Sequence, residues 1–346
     1  MTRERCLITL APLKESERPS GMSRRGIKAL FAQRNAKPAL PFTRKEFIEE
    51  KPFEQKGMSI SGAQPKLSLV LNYQGELEVV DDGGTYILKP SPEAFPNLAE
   101  NEHAIMSCMK ALGFEVPEFG LIPFASPDGT DEQELAFIIA RYDREGESRI
   151  HQEQIDGAMA IEDKYGKEGK YYTVSYEQVG DFITREIDTA LSVRRDYFKR
   201  VVCAYLFGNN DFHLRNIGVM HPAEENVYIT PVYDFVSVAP YPALFTAHLA
   251  LPLLKREEYD HENADGYDSK YGDLVGYDFI ECAAGFDIKP ALAKKYIEEV
   301  VAKEDKLIEI VQNSYMTDEH KHIITQHIRF KTRLLRVFDC PEKALI

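Results

Sequence analysis

Strand patterns and helix patterns occupy different halves of this chain, and that segregation restricts the fold more than any other feature. Leu67, Leu69 and Leu71 alternate with Ser68 and Val70, and Leu77 to Val80 follow the turn residues Asn72-Tyr73-Gln74-Gly75. A period of two marks a half-buried strand, and a short polar turn between two such runs makes a hairpin. Asp81-Asp82-Gly83-Gly84 is a second turn signal, leading into Thr85-Tyr86-Ile87-Leu88-Lys89, so residues 59–90 read as a small antiparallel meander. A helix opens near Pro96–Glu100 and stops at Gly113, with Ala104, Ile105, Cys108, Met109 and Leu112 on one face. Gly120–Phe124 and Leu135–Tyr142 read as further strands, residues 145–175 as polar loops, and Thr230–Val236 as a short strand. Helical patterns then cover about 175–190, 193–207, 288–312 and 318–338. Strands first and helices later predict an α+β fold with a strand-rich N-lobe and a helical C-lobe, not alternating βαβ units. The expected divisions are a short N-terminal segment over 1–58, the N-lobe over 59–144 and the C-lobe over 145–346.

A length of 346 residues supports roughly two units of ~150 residues. The balance of 42 basic against 56 acidic residues, net −14, repels phosphate backbones. Direct, sequence-independent nucleic-acid binding is therefore not expected of such a surface, while a partner can supply DNA contacts. Cys6, Cys108, Cys203, Cys282 and Cys340 are scattered, odd in number and form no C-x-x-C pair, which fits reduced thiols in the cytoplasm. The weakly charged stretch Val236–Leu254 carries Pro240, Pro242, Pro252 and His248, so no membrane helix is expected. The first 50 or so residues are basic and mixed, with one short helix expected over Met22–Gln33.

The chemistry concentrates in Phe207-Gly208-Asn209-Asn210-Asp211-Phe212-His213-Leu214-Arg215-Asn216, which follows the apolar helical run Val201–Phe207. Protein-kinase catalytic loops carry an Asp and, five residues on, an Asn; the Asp orients the acceptor hydroxyl and takes its proton, and the Asn oxygen ligates Mg²⁺. Asp211 and Asn216 have that spacing. Asp234, followed by Phe235, matches the position of a kinase metal-binding Asp, although Val236 stands where D-F-G has glycine. Lys89, at the end of a strand and before an acidic helix, is placed like the kinase phosphate-binding lysine, with Glu102 as its expected ion-pair partner and Glu100 as the alternative. Ser59-Ile60-Ser61-Gly62-Ala63-Gln64-Pro65-Lys66 lies where a nucleotide-covering loop belongs, and small residues there let backbone N–H groups approach phosphate. Each feature is weak alone. Asp211 also reads as a helix cap, Asn216 as a turn residue and Lys89 as a solvated lysine. His213 reads as a loop histidine that braces the backbone, and a zinc site built on His213 and His221 lacks a third ligand. The order of the parts along the chain favours the kinase reading over a nucleotide-binding module without catalysis that serves as a co-repressor.

These motifs resemble the HipA family of serine/threonine kinases, the toxins of bacterial toxin–antitoxin operons. Ser61–Lys66 resembles the family's S-G-A-Q-x-K loop, Asn210–Asn216 its catalytic loop, Tyr233-Asp234 its metal motif and Ala140–Arg144 its hinge strand. Only about 60 residues precede Ser61, which is similar to the shorter HipT toxins of tripartite HipBST systems. The resemblance implies the following roles. Asp211 is catalytic, and Asn216 and Asp234 hold Mg²⁺. ATP is bound by Ser61, Gly62, Ala63, Gln64, Lys66, Ser68, Lys89, Ala140, Arg141, Tyr142, His213 and Asn216. Ser59 and Ser61 are autophosphorylated, and a phosphate there repels bound triphosphate. It also implies a HipS-like small antitoxin, a HipB-like DNA-binding antitoxin and an aminoacyl-tRNA synthetase as target, the tryptophanyl enzyme for HipT.

Overall fold

The strands of the first half form one five-stranded antiparallel sheet in the computed structural model, which describes residues 3–33, 36–49, 65–126, 134–146, 148–224 and 226–342. The strands are β1 (Leu67–Leu71), β2 (Leu77–Val79), β3 (Tyr86–Pro90), β4 (Phe119–Pro123) and β5 (Leu135–Ala140), in the order β2-β1-β3-β5-β4. This corrects the expected meander. β1 lies between β2 and β3, with Leu69 opposite Val79 on one side and Leu67 opposite Leu88 on the other. Residues on either side of the Asp81–Gly84 turn bond to successive β1 carbonyls, Val80 N to Ser68 O at 3.0 Å and Thr85 N to Leu69 O at 2.9 Å. Adjacent carbonyls of a strand point to opposite edges, so the turn carries the chain across β1. Gly84 permits the crossing, because a Cβ there would sit 1.8 Å from Ser68 Oγ.

The chain divides into two compact units, and the first comprises Met1–Cys108, Glu115–Arg149 and Ile310–Asp318. Its N-terminal segment includes the short helices α1 (Arg24–Phe31) and α2 (Arg44–Glu49), and it contributes Cys6, Leu7, Leu30, Phe31 and Phe47 to the buried core. Leu121 N of β4 donates to Leu7 O at 2.9 Å. Helix α3 (Leu98–Ala111) is buried on more than its apolar face, since Asn101, Glu102 and His103 are as inaccessible as Ile105 and Met106.

The second unit comprises Met109–Phe114, Ile150–Glu309 and Glu319–Ile346. Its elements include β6 (His151–Gln154), α4 (Tyr176–Phe182), α5 (Leu191–Phe207), β7 (Gly218–His221), β8 (Tyr228–Ile229), α6 (Gly276–Ala284), α7 (Pro290–Val301) and, apart from the residues of Ile310–Asp318, α8 (Glu304–Gln312) and α9 (Asp318–Leu335). Three expectations change here. The 145–175 stretch holds β6, which pairs with β7, and short hairpins in place of loop alone. The helix expected over 288–312 bends at Ala302-Lys303 into α7 and α8, burying Val300 and Val301 before the bend and Leu307 and Val311 after it. The Thr230–Val236 segment is not a strand: pairing stops at Ile229, and Asp234 takes a left-handed φ of 54° that a strand cannot hold. Among the described residues, no helix is long and apolar enough to cross a membrane.

α5 is buried without a break from Tyr197 to Phe207 and ends at Gly208, φ 66°. Asn209 N bonds to Ala204 O at 2.7 Å, which closes the helix end and aims the next residues outward. A Cβ on Gly208 would lie 2.9 Å from His327 Nε2. Gly208→Ala therefore meets both backbone strain and crowding, and a loss of about 1–3 kcal/mol is expected, read as a lower thermal unfolding midpoint.

Candidate active site

Asn209 is fully buried and its Oδ1 accepts the Asp211 N–H at 3.1 Å. Phe212 turns inward. Its ring stacks on Tyr176 at 5.9 Å, its carbonyl accepts the Tyr176 hydroxyl at 2.6 Å, and it lies 5.3 Å from the Phe235 ring. With neighbours anchored on both sides, Asp211 is left with its side chain 48% exposed. Asn216 Nδ2 donates to the Asp211 backbone carbonyl at 2.7 Å. That bond gives the five-residue spacing its physical meaning: one end of the amide closes the loop, and Oδ1 stays uncommitted by it. An amide oxygen of this kind is a donor that a hard cation such as Mg²⁺ takes.

His213 is buried, with Nε2 3.6 Å from Asp211 Oδ1, and burial lowers its pKa against the attraction of that carboxylate. Surrounding protein raises the Asp211 carboxyl above its ordinary range. His213 and Lys164 oppose that rise, and the negative charge of Asp234 adds to it. Asp234 itself sits in the left-handed region, which Asp tolerates better than most residues. The adjacent Tyr233 hydroxyl donates to Arg215 O at 2.9 Å, tying the Asp234 segment to the 209–216 loop. Arg215 is structural: its Nε donates to Asp156 Oδ2 at 2.7 Å. Among the described residues no cluster of three His, Cys, Asp or Glu could hold a metal. Asn216 and Asp234 offer one amide oxygen and one carboxylate, a sparse set suited to a cation that takes the rest of its shell from phosphate and water.

Two contacts escaped the sequence reading. Tyr165 O–H donates to Asp211 Oδ1 at 3.3 Å, and Lys164 Nζ lies 3.9 Å from the same oxygen. Both come from the stretch read as polar loop, 47 and 46 residues before Asp211. A local turn signal, Asp163 followed by Gly166, was present, but no periodicity links that turn to the catalytic loop.

In the first unit, β3 and α3 bring Lys89 Nζ to 2.7 Å from Glu102 Oε1, with side-chain exposures of 5% and 1%. Lys89 also lies 5.7 Å from the centre of the Phe137 ring. Glu100 does not take the lysine. Its Oε2 accepts from Ser91 Oγ at 3.4 Å, and burial pushes its pKa up to about 7. Ser68 is buried on β1 under Gly84, and Lys66 immediately precedes that strand. The N–H groups of Ala140 and Arg141 are engaged with Glu118 O and Thr85 O, both at 2.8 Å, so neither is offered to a ligand. The Arg141 guanidinium grips Asp143 with two bonds, 2.9 and 2.6 Å, and Tyr142 follows β5 half-buried. Ser59, Ser61, Gly62, Ala63 and Gln64 lie outside the described residues.

Two outcomes follow from this geometry. Glu102→Ala removes the carboxylate 2.7 Å from a buried ammonium, so a loss of about 3–5 kcal/mol is expected in denaturant unfolding, with much of it recovered when Lys89 is also made Met. Glu100 has a folded pKa above its unfolded value, so its contribution is fully present below pH 4.5 and is lost as pH rises toward about 7. Glu100→Gln should therefore gain on the parent by about 1–3 kcal/mol between pH 5 and pH 8, measured as diverging unfolding midpoints.

The sequence profile of the HipA-like C-terminal domain family matches residues 58–308. A Haemophilus influenzae protein named "Putative kinase" is 44% identical over 342 residues, covering 97% of this chain and 99% of its own length. Among solved structures, the toxin–antitoxin complex of Shewanella oneidensis MR-1 HipA, HipB and operator DNA contains a chain that matches with a TM-score of 0.63 at 20% identity, over 86% of this chain and 73% of its own. The Helicobacter pylori proinflammatory kinase CtkA matches with a TM-score of 0.51 at 16% identity, over 83% of this chain and 93% of its own. At these identities the structural likeness is one of fold, and that fold is the α+β kinase-like one.

Proposed function

Because the chain belongs to the HipA-like C-terminal domain family, we propose that it is an ATP-dependent serine/threonine protein kinase and the toxin of a toxin–antitoxin system. The observation that carries this reading is the closed loop: a half-exposed Asp211 carboxylate on a backbone locked by Asn216 and Asn209. Such a carboxylate can accept a hydrogen bond from an acceptor hydroxyl, orient its oxygen and take its proton. Lys89, fixed by Glu102, is a rigid cation for ATP phosphates. Asn216 and Asp234 would hold Mg²⁺, which when bound neutralises phosphate charge. His213 fills the buried floor beside Asp211, and Lys66, Ser68 and the 140–142 strand end complete the nucleotide contacts.

The finer assignments rest on sequence motifs. The S-x-S pair points to a HipT-type toxin, autophosphorylated on Ser59 and Ser61, acting in the cytoplasm. Its partners would be HipS-like and HipB-like antitoxins, the latter supporting DNA contact, as HipB accompanies HipA on operator DNA in the Shewanella oneidensis complex. Its target would be an aminoacyl-tRNA synthetase, the tryptophanyl enzyme first, whose phosphorylation arrests translation and growth.

Intact mass before and after ATP and Mg²⁺ tests the reading. Phosphate on Ser59 or Ser61, with the rate lowered about 10²–10⁴-fold in Asp211→Asn while ATP still binds, is the expected result. Unaltered rates in Asp211→Asn and Asp234→Asn would remove these residues from the chemistry. Nucleotide binding without any phosphoryl transfer would point instead to the co-repressor module.

A further inference from the structure

Asp211 is approached unevenly. Tyr165 O–H at 3.3 Å, His213 Nε2 at 3.6 Å and Lys164 Nζ at 3.9 Å all face Oδ1, and among the described residues none bonds to Oδ2. The χ2 rotation of an Asp is soft and roughly two-fold, so a half-exposed carboxylate does not choose an orientation unaided. We propose that Tyr165 and Lys164 are positioning residues that hold Asp211 by Oδ1 and so present Oδ2 to the acceptor hydroxyl. This rests on the kinase reading above. In the transfer step the hydroxyl oxygen bonds to the γ-phosphorus of ATP, the bond from that phosphorus to the bridging oxygen breaks to release ADP, and the hydroxyl proton passes to Oδ2. An off-line carboxylate would leave the oxygen mis-aimed, and misplacement by about 1 Å costs on the order of 10²-fold in rate.

The segment carrying the two residues is built to hold still. Leu214 N, inside the catalytic loop, donates to Lys164 O at 3.0 Å. Asp163 Oδ1 accepts Tyr165 N at 2.9 Å and Lys167 N at 3.2 Å, forming an Asx turn. Gly166 turns at φ 61°, where a Cβ would press within 2.8 Å of Val174, and its carbonyl accepts Thr173 N at 2.7 Å. These anchors are backbone or Asp163 contacts, so the Tyr165 hydroxyl and the Lys164 ammonium are not needed to form the turn. The Tyr165 ring packs edge-on against His213 at 5.4 Å, and a Phe would keep that contact.

The test is phosphoryl transfer from ATP and Mg²⁺, to the chain itself or to casein, in wild type, Tyr165→Phe, Lys164→Ala and Lys164→Arg. Expected are a roughly tenfold fall in the saturated rate for Tyr165→Phe and Lys164→Ala, an apparent KM for ATP within about twofold of wild type, and recovery of most of the rate in Lys164→Arg. Unfolding midpoints should match wild type. A Tyr165→Phe rate equal to wild type, or a change confined to KM, would overturn the assignment while the kinase reading stands. Absence of transfer by wild type would overturn both.

Discussion

Burial of α5 over its last three turns is the constraint from which the second unit takes its arrangement. The helix is held at both ends of that stretch: the Tyr197 hydroxyl donates to Tyr176 O at 2.8 Å, and the Tyr205 hydroxyl donates to Asp273 Oδ1 at 2.9 Å. Asp273 in turn pairs with Lys331, which is 1% exposed. A helix fixed this firmly leaves its exit direction no freedom, and Gly208 converts that direction into the path of the 209–216 loop. The loop then needs few contacts of its own. Two asparagine side chains and one inward phenylalanine give Asp211 its place.

Charge is handled in two ways. Lys89–Glu102 and Lys331–Asp273 are removed from water, where desolvation offsets most of the Coulomb gain. Such pairs contribute little net stability but penalise any arrangement that separates them. Asp211 is treated in the opposite way. It stays half exposed and is touched by Lys164 and Tyr165 at distances longer than a tight pair. Buried pairs define geometry, and the half-exposed carboxylate keeps Oδ2 clear of those contacts.

Local pattern made much of this legible. The alternation at Leu67–Leu71 and the turn at Asn72–Gly75 set β1 and β2, and the start at Pro96–Glu100 with the apolar face Ala104, Ile105, Cys108, Met109 and Leu112 set α3. The pairing order within the sheet was not legible, because a period of two says which face a residue takes and nothing about which strand lies beside it. The break between α7 and α8 left no proline or glycine to mark it. Asp234 resembled a strand end because Thr230–Val232 is β-branched and apolar in part, yet the chain there follows its ties to the 209–216 loop.

The sequence by itself determined the α+β segregation and the five-residue spacing of Asp211 and Asn216, since spacing of a few residues is fixed by covalent geometry. Only the tertiary structure decided that Glu102 and not Glu100 meets Lys89. The two glutamates are two positions apart on one helix and so point to different sides, and only the packed sheet distinguishes those sides. It also decided that Lys164 and Tyr165 reach Asp211. Contacts across 46 residues depend on how the intervening chain packs, and no local pattern carries that information.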